Sequence, residues 1–282
     1  YSRSGGKRLA VLIGSGDPTV FEALNPNGGA PVVLVADHAS RAVPAALDGL
    51  GLDEGHFERH IAYDIGIEGL TRGLSERLGV TAVMSTFSRL LIDPNRGEDD
   101  PTLIMKLSDG AIIPANHPLS VEEREKRLDN WHRPYHRAIE KTITEVEEAS
   151  GQTALVISLH SFTPYWKQYA RPWHAGLLWD SDPRAILPFI ELLREDADLI
   201  VGDNEPYDGA LKNDCMYRHC MAKGRAHALL EVRQDLIAED AGINAWIDRL
   251  LPILEKLNAM PELHKTLLHP SRADQDEPPL PM

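Results

Sequence analysis

Cysteine is nearly absent from this chain: Cys215 and Cys220 are the only two in 282 residues. Two thiols cannot staple a fold of this size, and their spacing matches no common zinc pair, so they read as reduced thiols of a cytosolic protein. Long apolar runs are missing as well. None approaches the roughly 20 residues of a membrane span. Leu9-Ala10-Val11-Leu12-Ile13-Gly14, which follows Arg3, Lys7 and Arg8, is too short for a secretory core. Positive charge is in deficit, with 29 Lys and Arg against 43 Asp and Glu and a formal charge of −14. Such a surface repels phosphate backbones and anionic bilayers, so neither nucleic acid nor a membrane is an expected partner. An anionic substrate would need its own local arginines. A dinucleotide fingerprint is incomplete: Gly14-Ser15-Gly16 has Thr19 where the third glycine belongs. The expected location is cytoplasmic. The oligomeric state is open, and a homo-oligomer is compatible with everything above.

What is present is an alternation of buried strands and amphipathic helices. Val32-Val33-Leu34-Val35-Ala36 and Ala154-Leu155-Val156-Ile157-Ser158-Leu159 are continuous apolar runs, as in strands covered on both faces. Further strands are expected over 80–86, 88–92, 176–179, 199–201 and 226–232. Ile65, Leu70, Leu74 and Leu78 keep near-helical spacing up to Gly79, a natural C′ residue. Ser120-Val121-Glu122-Glu123 is a capping box opening a long helix through Val146, which Pro134 should kink or split. Asp182-Pro183 opens another helix, through Leu193, and a last one runs from about Ile243 to Leu257. The pattern implies an α/β fold with a mixed, largely parallel sheet flanked by helices. Residues 1–30 read as an N-terminal arm or short edge element, 31–260 as one domain, and 261–282 as a proline-rich C-terminal tail.

Ligands of open α/β sheets gather beyond the carboxyl ends of the strands. The polar residues there are Asp37-His38, His160-Ser161, Glu231 with Arg233, and Asp93-Pro94-Asn95-Arg96. A catalytic zinc needs three protein ligands and an open position for water. His38 and His160 supply two imidazoles. Asp64, just before an amphipathic helix, supplies a carboxylate. Glu231 suits the general base that takes the proton of the activated water. Each residue also has a plainer reading. His38 and His160 would be satisfied by backbone carbonyls, Asp64 would be a helix cap, and Glu231 would pair with Arg225 or Arg233. No His-Glu-x-x-His string is present, so spacing alone is a weak metal signal.

Several strings in one order then resemble a known family. Val35-Ala36-Asp37-His38-Ala39-Ser40-Arg41-Ala42-Val43-Pro44, His60-Ile61-Ala62-Tyr63-Asp64-Ile65-Gly66 and Ser88-Arg89-Leu90-Leu91-Ile92-Asp93-Pro94-Asn95-Arg96 are similar to the N-formylglutamate amidohydrolases. So are Ser158-Leu159-His160-Ser161-Phe162, Arg171-Pro172-Trp173-His174-Ala175-Gly176, Asn204-Glu205-Pro206-Tyr207 and Leu230-Glu231-Val232-Arg233-Gln234-Asp235. The resemblance spans about residues 31–257 and implies a three-layer fold like that of the zinc carboxypeptidases. It implies one zinc ion on His38, Asp64 and His160, with Glu231 catalytic. Arg41 stands where carboxypeptidases carry a glutamate ligand. Asp64 must replace that glutamate and is the least secure ligand, with Asp37 the competitor.

The resemblance further implies that Asn95 and Arg96 hold a substrate carboxylate, since a guanidinium fork suits one. The plainer reading has Arg96 neutralising Glu98, Asp99 and Asp100. Arg89 and Arg171 are candidates for the oxyanion and for a second carboxylate, in an order left open. Tyr207 would close over the substrate or merely pack. Arg124, Arg127, Tyr135 and His136 also match the family, the arginines forming an exposed or bracing face; His117 and His132 read as surface histidines. The implied reaction is hydrolysis of the N-formyl amide of glutamate, or of a similar N-acyl acidic amino acid, giving formate and the free amino acid, as in histidine breakdown. The alternatives are a zinc amidase or deacylase on another N-acyl amino acid or cell-wall peptide, and a non-catalytic ligand-binding relative.

Overall fold

The computed structural model describes residues 19–274. The basic and apolar segment before Gly14, the Gly14-Ser15-Gly16 string and the last prolines of the tail lie outside them. Seven strands form one sheet: β1 (Phe21–Leu24), β2 (Val32–Ala36), β3 (Thr81–Ser85), β4 (Leu155–Phe162), β5 (Ala175–Leu178), β6 (Val201–Asp203) and β7 (His227–Arg233). Their order is β1-β3-β2-β4-β7-β5-β6. The four central strands run parallel, while β1 and the β5–β6 pair run against them. The sheet is therefore mixed and largely parallel, as the apolar runs imply.

Side-chain alternation divides the core into two layers. Val32, Leu34, Leu155, Ile157 and Leu230 face α1 (Ile67–Leu78), α4 (Ile186–Arg194) and α6 (Asp240–Asn258). Val33, Val35, Val156 and Leu229 face α3 (Arg133–Ser150) and the turn over residues 87–92. The Ser120 half of the capping box forms: Ser120 Oγ accepts from Glu123 N and opens α2 (Val121–Arg127), while the Glu123 carboxylate takes Arg127. One widened π turn, Leu128–His132, separates α2 from α3, next to Pro134, so the long helix is split as expected.

Four expectations need correction. Residues 88–92 are a turn, not a strand, with Ser88 N on Ala42 O and Arg89 N on Ala62 O; short apolar runs buried as turns look like strands in a sequence. The regular helix after Asp182-Pro183 begins only at Ile186, although Asp182 Oδ1 accepts from Arg184 N as a cap does, while also holding the Arg184 side chain. His132 is fully buried and not at the surface, whereas Arg127 takes the bracing alternative, buried and donating to Leu91 O and Asn116 Oδ1. Finally, residues 261–274 are docked: Leu263 is buried, Leu267 N bonds Gly224 O, and Arg272 grips Asp180 and Asp208. Among the described residues no helix is long and apolar enough to cross a membrane.

Candidate active site

The strand ends deliver their polar residues to one place. In register, Glu231 on β7 pairs with His160 on β4. Asp37 and His38 leave the end of β2, and Asp64 N bonds His38 O at 2.9 Å, which ties the loop before α1 to that end. Gly66, at φ +83°, opens α1 where a Cβ would collide with Ile237 O, so only glycine lets Asp64 enter the site there. Asp64 is not the helix cap of the plainer reading. Its Oδ2 lies 2.9 Å from His160 Nδ1, 3.4 Å from His38 Nδ1 and 3.2 Å from Ser161 N. One donor atom from each of His38, Asp64 and His160 lies within 4.8 Å of the others, and all three residues are buried. The two rings stand edge to face, 4.9 Å apart.

The outward ring nitrogen of His38 is held by a carboxylate, and that of His160 faces one without a hydrogen bond. His38 Nε2 meets Asp93 Oδ1 at 2.7 Å, and His160 Nε2 faces Asp37 Oδ2 at 3.5 Å. Both Nδ1 atoms are thereby turned toward Asp64, as in the carboxylate–histidine pairs that orient metal ligands. Asp37 thus lies behind His160, on the side away from Asp64. Asp93, which the sequence reading placed at a strand end without giving it a role, also accepts two bonds from Arg89, at 2.7 and 3.1 Å, and one from Asn95 N. Burial pushes the Asp93 carboxyl up, but Arg89 and His38 hold it well below the usual carboxylate range. Asp64 is likewise kept ionised against burial by His38 and His160.

Two observations test whether these residues fit a metal ion. His38 Nδ1 is buried without a hydrogen-bond partner. Asp37, Asp64, Asp93 and Glu231 are four buried carboxylates, and the arginine that contacts two of them is Arg89. Both Asp37 oxygens and Glu231 Oε2 are buried without a hydrogen-bond partner, and so many buried acceptors suit a bound cation. The donor set of two imidazoles and a carboxylate suits zinc. The residues fit.

Glu231 makes neither of the ion pairs of its plainer reading. Arg225 is taken by Glu140 and Glu147, and Arg233 by Asp235. Its Oε2 is buried without a partner, and burial pushes the carboxyl pKa up, the direction a general base needs. Arg89 Nη1 stands 3.6 Å from Asp64 Oδ1, at the edge of the trio.

Arg171 is buried and donates to Thr163, with its guanidinium among the rings of Phe162, Trp166 and Tyr207 at 5.0–5.7 Å. The Asn204–Tyr207 loop folds down onto β5 because Gly176 has no Cβ to meet Glu205 O. Tyr207 is 44% exposed, with its ring against the Arg171 guanidinium at 5.0 Å.

Arg96 pairs with none of its acidic neighbours. Glu98 holds Arg133, Asp99 holds Asn213, and Asp100 holds Thr102. Arg96 donates instead to Asn95 O and Thr102, and Asn95 Oδ1 accepts from Cys215 N at the start of α5 (Cys215–His219). Asn95 and Arg96 are thus partly spent on the fold. A cleft of about 350 Å³ beside Arg41 and Phe57 includes none of the site residues.

The model of the N-formylglutamate amidohydrolase family matches residues 30–238. The chain belongs to that family. A gene product of Agrobacterium tumefaciens shares the fold, with a TM-score of 0.82 and 29% identity over 87% of this chain and 97% of its own. N-formylglutamate amidohydrolase from Ralstonia eutropha JMP134 superposes with a TM-score of 0.67 and 21% identity, over 86% of this chain and 98% of its own. No curated protein matches the chain in sequence. Membership supports a hydrolase and accounts for the expected strings lying in one unbroken order.

Proposed function

We propose that this chain removes the formyl group of N-formylglutamate, or of a similar N-acyl acidic amino acid, with zinc held by His38, Asp64 and His160. The observation that carries the reading is the meeting of these three buried donors with Glu231, whose buried oxygen has no other partner. When bound, zinc would acidify a water toward a pKa of about 7 and polarise the formyl carbonyl. Glu231 takes the proton of the attacking water as the water oxygen bonds to the formyl carbon. Glu231 then passes that proton to the amide nitrogen, the C–N bond breaks, and formate and the amino acid leave. Arg89, fixed by Asp93 and close to Asp64, is placed to stabilise the developing oxyanion. Arg171 at the aromatic rim, with Asn95 and Arg96 on the α5 side, supplies positive charge for the substrate carboxylates, and Tyr207 covers them.

The test is formate release by the zinc-loaded chain from N-formylglutamate, beside release of the acyl group from N-acetylglutamate and an N-acyl peptide. The expected result is a clear preference in kcat/KM for the formylated acidic amino acid. Equal or better turnover of the peptide would move the reading to a different amidase, and no turnover of any would favour a binding protein.

A further inference from the structure

A second cluster of metal-ligating side chains lies behind the first and shares no residue with it. His136 on α3 and Cys215 and His219 on α5 are all buried, and one donor atom from each lies within 4.8 Å of the others. Cys215 and His219 are four residues apart and so share a helix face. His136 Nδ1 and His219 Nε2 face each other at 2.9 Å. The outward nitrogens are occupied. His219 Nδ1 meets the Glu140 carboxylate at 2.9 Å, which Arg225 holds in turn; His136 Nε2 lies 3.3 Å from His132 Nε2, whose proton goes to Arg96 O, so a cation would have to move the His136 ring proton from Nδ1 to Nε2.

A carboxylate on Nδ1 places the ring proton there and leaves the Nε2 lone pair of His219 pointing inward, toward His136 and Cys215. This repeats the arrangement at the first centre, where Asp93 stands behind His38. Asp37 lies between the two clusters, facing His160 Nε2 at 3.5 Å and adjoining Cys215 on the other side.

We propose that His136, Cys215 and His219 form a second metal site that takes a thiophilic divalent cation. Two imidazoles and a thiolate favour zinc over magnesium or calcium. On binding, the Cys215 sulfur exchanges its proton for the cation, and one proton per site passes to solvent. The site ties α3 to α5 directly behind the loop that carries Asn95 and Arg96. Asn95 Oδ1 bonds Cys215 N, and His132 Nε2 bonds Arg96 O at 2.8 Å. Its role is that of a brace under the substrate side of the cleft.

The test is cobalt titration of the metal-stripped full-length chain, read by absorption and by equivalents bound. The expected result is two equivalents per chain, one of them bringing a near-ultraviolet thiolate-to-cobalt charge-transfer band. Cys215→Ser should lose the band and one equivalent, and its zinc-loaded form should show a raised KM with little change in kcat, since the brace lies under Asn95 and Arg96 and not at the first centre. His38→Ala should lose the other equivalent and keep the band. The wild-type band does not depend on any variant folding, and failure of the deformylase reading would leave it in place. Saturation without a thiolate band would overturn the proposal and leave His132, His136, His219 and Glu140 as a hydrogen-bonded chain.

Discussion

Replacing Asp93 by Asn removes one charge and almost no volume. The wild-type carboxylate is buried and accepts from His38 Nε2, Arg89 and Asn95 N, at 2.7 to 3.1 Å. An amide has a single acceptor oxygen. If that oxygen keeps His38 and Asn95, the NH₂ group is turned on Arg89, and two donors face each other. Loss of an orienting partner behind a histidine ligand typically costs 10–100-fold in metal affinity or activity, which is about 1.4–2.8 kcal/mol. Arg89 keeps its approach to Asp64, and its side chain is 18% exposed, so the fold should survive with a loss on the order of 2 kcal/mol for the weakened charge-assisted bonds. The assay is zinc affinity by chelator competition, with formate release at saturating zinc. Weaker zinc binding that extra zinc partly rescues is expected. Unchanged zinc affinity would refute the claim that the Asp93 charge behind His38 supports metal binding.

Further outcomes follow from the same geometry. Glu231→Gln should bind zinc normally and lose about 10²-fold or more in kcat; metal analysis beside initial rates checks both halves. Arg171→Ala and Arg96→Ala should chiefly raise KM for dianionic substrates, more for Arg171 because Arg96 already serves Asn95 O and Thr102; a pure kcat defect would count against both. Burial pushes the Asp182 carboxyl up, but its bonds from Arg184 outweigh this and hold the pKa below the ordinary value of 3.8. A depressed folded-state pKa gives stability that is present above 3.8 and is lost as pH falls below it. Urea midpoints between about pH 6 and pH 3 should therefore fall less steeply in Asp182→Asn than in wild type; parallel curves would contradict the sign.

Most of the scaffold was legible because strands buried on both faces announce themselves as unbroken apolar runs, and helices end on residues such as Gly79. The convergence of His38, Asp64, His160 and Glu231 was legible through a topological rule, that polar groups at the carboxyl ends of parallel strands meet. The turn over 88–92 was not, because its backbone bonds go to Ala42 and Ala62, partners that no local pattern reveals. Asp93 was hidden for the same reason, as its partner His38 lies 55 residues away. His132 read as a surface residue although Leu128, Tyr135 and Ile139, at i−4, i+3 and i+7, put it on the buried face of its helix; what the fold alone adds is its partner Arg96 O. The docked segment 261–274 looked like a tail because its anchors are single residues, Leu263 and Arg272, rather than a periodic stripe.

The most direct test of the central claim is anomalous diffraction at the zinc edge from crystals of the active enzyme. The account predicts a peak about 2 Å from both His38 Nδ1 and His160 Nδ1 and from an Asp64 oxygen, with Glu231 beside it and unbound. An active crystal with no peak among those three side chains would contradict it.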